Sequence, residues 1–329
     1  MFIGVDGGGS KTAFALIDRQ GVIHATLVTT GSYYLAIGLD ALGTLISMSL
    51  RELLEQADVA ARDVDFAFLG LPAHGEDRAA TAAMDRLPAR ILRDGSWLCG
   101  NDMICGWAGS LACKDGINVV AGTGSICYGE RKGVGARCGG WGELFSDEGS
   151  AYWIACRGLD LFARMSDGRA PRGPLHQLLR ERLNLADDID MCAHVYVTLA
   201  GERAQIAQLC PLVFDAAMSG DIGAKAILDQ AANELALMVD STRMRLGFTL
   251  DEAVDVSYSG GVFRGAGAHV LKYFAGALEA RAAYRLCEPL LPPAIGAALY
   301  AAKRFGQPLP DAAIARLRSE RQQLEALAS

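Results

Sequence analysis

Short apolar runs separated by polar or glycine-rich turns make up the beginning of the chain. Residues 2–5 are apolar and stop at residues 6–12, which read DGGGSKT. Residues 13–17 are apolar again, and the polar turn 19–21 separates them from the β-rich stretch 22–28. Runs of this kind, bounded by turn residues, are typical of strands joined by tight connections. The pattern therefore predicts three consecutive strands at the amino terminus.

The period of the apolar residues changes at residues 40–57, where leucine and isoleucine recur on one face of a predicted helix. Short apolar strands at 65–70 and 97–100 then alternate with helices at about 76–87 and 103–113. Three β units followed by alternating helices and strands favour a mixed sheet covered by helices. We therefore expect an α/β fold.

The pattern restarts near residue 116. An apolar strand at 117–121 runs into the loop Gly122-Thr123-Gly124-Ser125 and a second strand at 126–130. This is a weaker copy of the opening unit, and one repetition in a chain of 329 residues predicts a duplicated domain rather than a solenoid. We place the domains at residues 1–115 and 116–305. A charged helical tail follows at 306–329, and the sequence leaves open whether it packs on the first domain.

Composition narrows the function classes. The chain has a net charge of −7 and no Lys/Arg run, which argues against nucleic acid as a partner. No apolar run is long enough to span a membrane. The amino terminus has no basic segment before an apolar one, so we do not expect a signal peptide. The nine cysteines form no C-x-x-C pair, and the five histidines show no metal-ligand spacing. We expect reduced thiols in a cytoplasmic protein.

The glycine-rich loop at residues 6–12 has the composition of a phosphate cradle. Its consecutive glycines allow positive φ and close approach of a ligand to the main chain, and successive N–H groups in such a turn bind anions. It is not a Walker loop, because Lys11 follows Ser10 rather than glycine and the residues after it are β-rich. The alternative is a glycine-rich hairpin turn without function. The predicted phosphate-binding residues are Gly8, Gly9, Ser10, Lys11 and Thr12, with Asp6 at the base of the loop.

Further candidate chemistry lies where other strands end. Asn101 and Asp102 follow the strand at 97–100, where α/β sites gather, although Asp102 could instead cap the helix that follows. Residues 138–142 read CGGWG, residues 146–155 read SDEGSAYWIA, and residues 259–262 read SGGV. Each stretch alone is a weak signal.

Together these stretches resemble the N-acetylglucosamine kinase and BadF/BadG/BcrA/BcrD ATPase family of the actin, sugar-kinase and heat-shock ATPase superfamily. The matching pieces span nearly the whole chain in the family's order, and the run from Cys138 to Ala155 is the most specific. The resemblance implies two ribonuclease-H-like domains with mixed five-stranded sheets and a cleft between them. It further implies ATP and Mg²⁺ at the base of that cleft, a sugar near its mouth, and a homodimer.

The resemblance also implies roles for residues. Asp102 would accept the proton of a sugar hydroxyl, and Asp147 would accept hydrogen bonds from other hydroxyls. Asp147 could alternatively be a favourable charge at a helix N-terminus, and Trp141 could pack in a core rather than against the sugar. The full set of implied sugar-site residues is Ser32, Tyr33, Asn101, Asp102, Gly140, Trp141, Gly142 and Asp147.

On the nucleotide side, the resemblance makes Asp6 the Mg²⁺ residue, acting through water. The second phosphate loop would be Gly122, Thr123, Gly124 and Ser125. Gly260 and Gly261 would let adenosine lie on bare backbone. Gly220, in Ser219-Gly220-Asp221, would face it, and the alternative there is a plain helix–helix turn.

The function that the resemblance implies is an ATP-dependent hexosamine kinase acting on the sugar 6-hydroxyl, with N-acetylglucosamine as the first choice. One departure leaves glucosamine or another hexosamine open: residues 32–34 read SYY where family members commonly carry a sugar-binding Asn. A first rival is an ATPase activator of an acyl-CoA reductase or dehydratase, with Cys127 and Cys156 sharing an iron–sulfur cluster. A second is a non-catalytic sugar sensor, for which we expect a DNA-binding segment that this chain lacks.

Overall fold

The computed structural model describes residues 1–249, 251–264 and 268–320. In chain order its strands are β1 (Phe2–Gly7), β2 (Lys11–Ile17), β3 (Ile23–Thr30), β4 (Phe66–Leu71), β5 (Trp97–Asn101), β6 (Gly116–Ala121), β7 (Ser125–Arg131), β8 (Val134–Gly139), β9 (Val254–Ser259) and β10 (Tyr284–Cys287).

Helices fill the connections between these strands. They are α1 (Tyr34–Ile37), α2 (Leu39–Gln56), α3 (Arg78–Met84), α4 (Met103–Leu111), α5 (Ala151–Ser166), α6 (Pro174–Arg182), α7 (Asp190–Ala193), α8 (Arg203–Ala207), α9 (Cys210–Met218), α10 (Ile222–Arg245), α11 (Ala268–Glu279), α12 (Pro293–Arg304) and α13 (Asp311–Ser319). The chain divides into two compact units, the first made of Met1–Gly116 and the segment from Glu288 onward, the second of Ile117–Cys287.

The first unit is built on a five-stranded sheet in the order β3-β2-β1-β4-β5. β1 pairs antiparallel with β2 and parallel with β4, because the β1–β2 link is a tight hairpin and the route to β4 passes through α2. Helix α2 buries the leucine and isoleucine face that the sequence predicted, including Leu42, Ile46, Leu50 and Leu53. The three amino-terminal strands and this helix are thereby confirmed.

Helix α12 lies in the first unit, which differs from the boundary at residue 305 that the sequence indicated. Small residues explain the location, since α12 approaches β1 so closely that a Cβ on Gly4 would overlap the carbonyl of Ala294. A Cβ on Gly109 of α4 would likewise come within 2.7 Å of the Leu291 carbonyl. The described part of the carboxy-terminal tail also belongs to this unit, with α13 against Gly21, and residues 321–329 lie outside the described residues.

The second unit repeats this architecture with a sheet in the order β10-β9-β6-β7-β8. Read from the opposite edge, this order is β8-β7-β6-β9-β10, which corresponds strand for strand to β3-β2-β1-β4-β5 of the first sheet. The duplicated α/β domain is therefore confirmed. The long helix α10 buries apolar residues such as Leu235 and Val239 in the core of this unit. Over the described ranges, no helix combines the length and apolarity needed to cross a membrane.

Candidate active site

The first phosphate loop is the turn of the β1–β2 hairpin. The last paired residues are Gly7 and Thr12, so Gly8, Gly9, Ser10 and Lys11 lie between them. The Ser32 N–H donates to the Gly8 carbonyl at 2.9 Å, and a Cβ on Gly31 would overlap the Gly9 carbonyl. The segment after β3 therefore runs directly against the hairpin. Nothing lies within 4 Å of a Cβ built on Gly9, so the outer side of the turn is open to a ligand.

Three buried polar atoms of this region have no hydrogen-bond partner: Lys11 Nζ, Thr12 Oγ1 and Ser32 Oγ. An unsatisfied buried donor costs about 1–3 kcal/mol, and more when it is charged. Donors left unpaired beside an open glycine turn fit a ligand that brings many acceptor oxygens, as a polyphosphate does. Ser32, predicted as a sugar contact, is fully buried here and belongs with the hairpin donors.

Asp6 ends the apolar run of β1, opposite Gly70 of β4. Burial and, to a smaller extent, the negative charge of Asp102 raise the pKa of Asp6 to about 8, against the opposing effects of Lys11 and the Cys105 thiol. The Cys105 thiol also donates to the Val5 carbonyl at 3.5 Å. Asp6 and Asp102 disfavour each other's negative charge, and they lie near the unpaired hydrogen-bond donors that could bind phosphate. Such a pair of carboxylates suits a hydrated divalent cation. Asp6 is thus suited to hold Mg²⁺ through water.

The raised pKa of Asp6 predicts how stability depends on pH without ligands. Between about pH 4 and pH 8 the folded state keeps the Asp6 proton that the unfolded chain releases, so stability falls as the pH rises, by up to about 1.4 kcal/mol per pH unit. Asp6→Asn carries no such proton. Circular dichroism melting at pH 5 and pH 8 without magnesium is expected to show the variant gaining stability relative to the unaltered protein as the pH rises. Equal pH dependence of both proteins contradicts the assignment.

Asn101 and Asp102 divide two roles at the start of α4. Asp102 is the N-cap residue by position, but its side chain makes no capping hydrogen bond. The Met103 N–H instead donates to Asn101 Oδ1 at 3.2 Å, and Asn101 Nδ2 donates to the His74 carbonyl at 3.4 Å. Both ends of the Asn101 amide are engaged, which favours a positioning role over the predicted sugar contact. Asp102 is half-buried and is not used as a helix cap.

Tyr33 stands at the beginning of α1, directly after Ser32. Its side chain makes no capping hydrogen bond, and its ring lies edge-on to Tyr34 with the centroids 6.5 Å apart. Tyr33 is partly exposed whereas Ser32 is buried. Of the two residues predicted as sugar contacts, only Tyr33 reaches the surface of its unit.

In the second unit, the loop between β6 and β7 is bound to the start of α5. The Ala151 N–H donates to the Gly122 carbonyl at 2.8 Å, and Ser125 Oγ donates to the Glu148 carbonyl at 2.7 Å. Thr123 at the tip is exposed. The structure thus brings the second phosphate loop together with residues 147–151 of the predicted sugar region.

Asp147 is buried, with 2% of its surface exposed, and its backbone adopts a left-handed conformation at φ 64°. Its Oδ1 accepts the Ser125 N–H at 3.4 Å, and its Oδ2 is in contact with Arg203 Nη2. Burial raises the pKa of this carboxyl, and the Arg203 guanidinium lowers it. Ser150, not Asp147, caps α5 by accepting from the Trp153 N–H, which weakens the helix-terminus interpretation of Asp147.

Sequence reasoning missed Arg203. The arginine begins the short helix α8, 56 residues after Asp147, and no motif surrounds it. Its contact with Asp147 follows only from the fold of the second unit.

The glycine-rich loop after β8 presents Trp141 to solvent. Gly140 and Gly142 have φ of 70° and 97°, conformations that favour glycine, and Trp141 is 70% exposed. Packing of Trp141 in the core of the second unit, the alternative left open by the sequence, is therefore wrong. An exposed indole offers the apolar face that a sugar ring can cover.

The three other glycines predicted to contact the nucleotide differ in their surroundings. Gly260, at the end of β9, has φ of 101°, and a Cβ there would overlap the Ala121 carbonyl, while Gly261 is exposed with open space beside it. Gly220 is exposed between α9 and α10, and Asp221 next to it accepts from the N–H groups of Ala224 and Leu175. This geometry favours the helix–helix turn at Gly220.

Comparison with known proteins gives the family of this chain. The family model described as the BadF/BadG/BcrA/BcrD ATPase family matches residues 3–301. The chain belongs to this family. Membership covers both units and every predicted site residue, so the family resemblance seen in the sequence is confirmed, and the use of ATP follows from it.

Two relatives of this family member carry sugar-kinase names. It is 30% identical over 270 residues to an N-acetyl-D-glucosamine kinase of Dictyostelium discoideum, covering 79% of this chain and 85% of that protein. It is 30% identical over 239 residues to an N-acetylmuramic acid/N-acetylglucosamine kinase of Clostridium acetobutylicum, covering 72% of this chain and 77% of that protein.

Solved structures confirm the fold of this family member. A candidate N-acetylglucosamine kinase from Chromobacterium violaceum superposes with a TM-score of 0.70 at 25% identity, covering 91% of this chain and 98% of that one. A ROK family glucokinase from Streptomyces griseus, solved with glucose and AMPPNP, gives a TM-score of 0.53 at 18% identity, covering 92% and 99%. The predicted fold class of two ribonuclease-H-like domains is thus confirmed.

Proposed function

We propose that this protein is an ATP-dependent hexosamine kinase that transfers the γ-phosphoryl group of ATP to the 6-hydroxyl of N-acetylglucosamine. One observation carries the proposal: buried, unpaired donors at Lys11 and Thr12 lie in the same unit as the coupled carboxylates Asp6 and Asp102. That combination supplies hydrogen-bond donors for phosphate oxygens, carboxylates for a cation, and a base. The names of the two relatives support the choice of sugar.

Asp102 is the proposed base. Its carboxylate orients the sugar 6-hydroxyl and accepts its proton while the hydroxyl oxygen forms a bond to the γ-phosphorus. The bond between the γ-phosphorus and the bridging oxygen breaks, and ADP leaves with that electron pair. Asn101, rather than Asp102, accepts the Met103 N–H at the start of α4, so the proposed base is not used to cap that helix.

The nucleotide contacts come from glycine turns and a few side chains. Lys11 Nζ and Thr12 Oγ1 would donate to phosphate oxygens, and the exposed loop around Thr123 supplies further N–H groups. Mg²⁺ near Asp6, when bound, would neutralise the charge that builds up on the phosphates. The open backbone at Gly261 suits a flat adenosine.

Sugar recognition rests on Asp147 and Trp141 in this proposal. Asp147 accepts from sugar hydroxyls, and the exposed indole covers an apolar face of the ring. The family resemblance assigns Tyr33, Gly140 and Gly142 to sugar binding as well. Because residues 32–34 lack the family's Asn, glucosamine remains the second candidate substrate.

The activator-type ATPase is disfavoured by Cys127. A cluster shared between subunits needs cysteines at the surface, whereas Cys127 has 0% of its surface exposed. Burial also raises the pKa of this thiol to about 12, which opposes the thiolate that a cluster requires. The remaining parts of the proposal are a cytoplasmic location, which rests on the spacing of the cysteines, and a homodimer, which rests on the family resemblance.

A coupled ADP-release assay tests the proposal. Purified protein, ATP and Mg²⁺ are combined separately with N-acetylglucosamine, glucosamine, N-acetylmannosamine, glucose or no sugar. We expect ADP release to depend on sugar and to be fastest with N-acetylglucosamine. Equal release without sugar would instead indicate a conformational ATPase, and no release under any condition would indicate a sensor.

A further inference from the structure

Arg203 contacts both Glu143 and Asp147 in the second unit. The Nη2 atom contacts Asp147 Oδ2, and Nη1 lies 3.4 Å from Glu143 Oε2. Asp147 in turn accepts the Ser125 N–H of the second phosphate loop. One guanidinium therefore connects residues 143 and 147, and the phosphate loop meets residue 147 at the same point.

The backbone of the phosphate loop is shaped to admit this ion pair. A Cβ on Gly124 would overlap Arg203 Nη2 and would come within 2.9 Å of Asp147 Oδ2. Arg203 Nε is buried and has no hydrogen-bond partner. Only glycine at 124 lets the loop, the guanidinium and the carboxylate lie this close together.

The ion pair leaves Asp147 able to accept hydrogen bonds. A carboxylate has about four lone-pair sites. Ser125 N–H and Arg203 take one site on each oxygen, so the remaining sites are free for two hydroxyl donors. Arg203 has no acceptor to offer a hydroxyl, and its contribution is to fix where the Asp147 oxygens point.

We propose that Arg203 is a positioning residue for the sugar, which acts by holding the Asp147 carboxylate as the acceptor of the sugar hydroxyls. This inference rests on the proposed hexosamine kinase activity and specifies how that site is assembled. Arg203 should therefore affect sugar binding. It should not affect the chemistry at Asp102 or the nucleotide contacts at Lys11.

The charges around Asp147 make the role testable by pH. Burial raises the pKa of Asp147, as do Glu143 and Glu148, whereas Arg203 and the Ser125 N–H lower it. Without the guanidinium the pKa of Asp147 rises further. A protonated Asp147 loses acceptor sites, so an Arg203 variant should bind sugar less well as the pH falls.

The experiment measures KM for N-acetylglucosamine, KM for ATP and kcat at pH 6, 7 and 8. For Arg203→Met we expect KM for sugar to rise about tenfold or more at pH 7, and by a larger factor at pH 6, because a charge-assisted hydrogen bond contributes about 1.5–3 kcal/mol. We expect kcat and KM for ATP to stay within about twofold. Arg203→Lys should recover part of the loss, since it keeps the charge.

Two controls separate positioning from general damage. Arg182→Met removes an exposed arginine from the end of α6 in the same unit, and all constants should be unchanged. In an Asp147→Asn background, Arg203→Met should have little further effect on KM for sugar. Calorimetric titration of sugar into each variant gives the affinity directly, even where turnover is too slow to measure.

The outcomes are distinct. An unchanged KM for sugar in Arg203→Met, an increase that does not vary with pH, or a rise in KM for ATP instead would overturn the inference while leaving the kinase proposal standing. Absence of sugar-dependent ADP release by the unaltered protein would overturn the proposed function, and the inference with it.

Discussion

Asp102→Asn is expected to lower sugar-dependent ADP release by about 10²–10⁴-fold, because the amide cannot accept the hydroxyl proton. The fold should persist, since the Asp102 side chain makes no capping hydrogen bond and the N–H of Met103 is taken by Asn101. Steady-state kinetics with N-acetylglucosamine measures the loss, and circular dichroism melting checks the fold. Affinity for an ATP analogue should fall little or increase, because removing one negative charge near the phosphates relieves repulsion.

Asp94→Asn is the matched control for this variant. It removes the same charge from an exposed turn of the first unit, before β5, and turnover should be unchanged. Near-normal turnover of Asp102→Asn would remove Asp102 from the role of base.

Lys11→Met is expected to weaken binding of an ATP analogue by about 10–150-fold, the equivalent of one charge-assisted hydrogen bond of about 1.5–3 kcal/mol. The unliganded variant should be at least as stable as the unaltered protein, because the buried ammonium has no hydrogen-bond partner before the nucleotide arrives. A substitution that weakens ligand binding without lowering the stability of the unliganded protein identifies a residue whose role is to bind the ligand. Calorimetric titration and thermal melting measure the two quantities.

Lys114→Met serves as the comparison. Lys114 forms an exposed ion pair with Asp311 at 3.3 Å, an arrangement that contributes little to stability, and it lies outside the hairpin. Binding of the analogue should not change. If Lys11→Met destabilised the unliganded protein while leaving the affinity intact, Lys11 would be a structural residue and the phosphate assignment would fail.

Local pattern was sufficient to predict the two hairpin loops and the sheets around them. Glycines at 7–9 and at 122 and 124 follow apolar runs that fit buried strands. The same order of strand, loop and strand recurs at both places, so the sequence alone predicted the duplication. The roles of the individual side chains within those loops remain predictions until a ligand is bound.

Contacts between residues far apart in the chain could not be predicted. Helix α12 belongs with β1 because Gly4 allows its backbone to approach Ala294, and sequence order placed it with the nearer domain. The pairing of Arg203 with Asp147 has the same origin, since 56 residues separate them. At the start of α4 the sequence indicated Asp102 as the alternative helix cap, whereas the structure shows that Asn101 accepts the Met103 N–H.

The central claim is that a sugar 6-hydroxyl attacks the γ-phosphorus with Asp102 as its base. Phosphorus–proton correlation NMR of the product, formed from ATP, Mg²⁺ and N-acetylglucosamine, tests it most directly. The account predicts one phosphate ester, coupled to the two protons on carbon 6, in the reaction of the unaltered protein and none with Asp102→Asn over the same period. ATP consumed with only free phosphate appearing, an ester on another carbon, or equal product from the variant would contradict it.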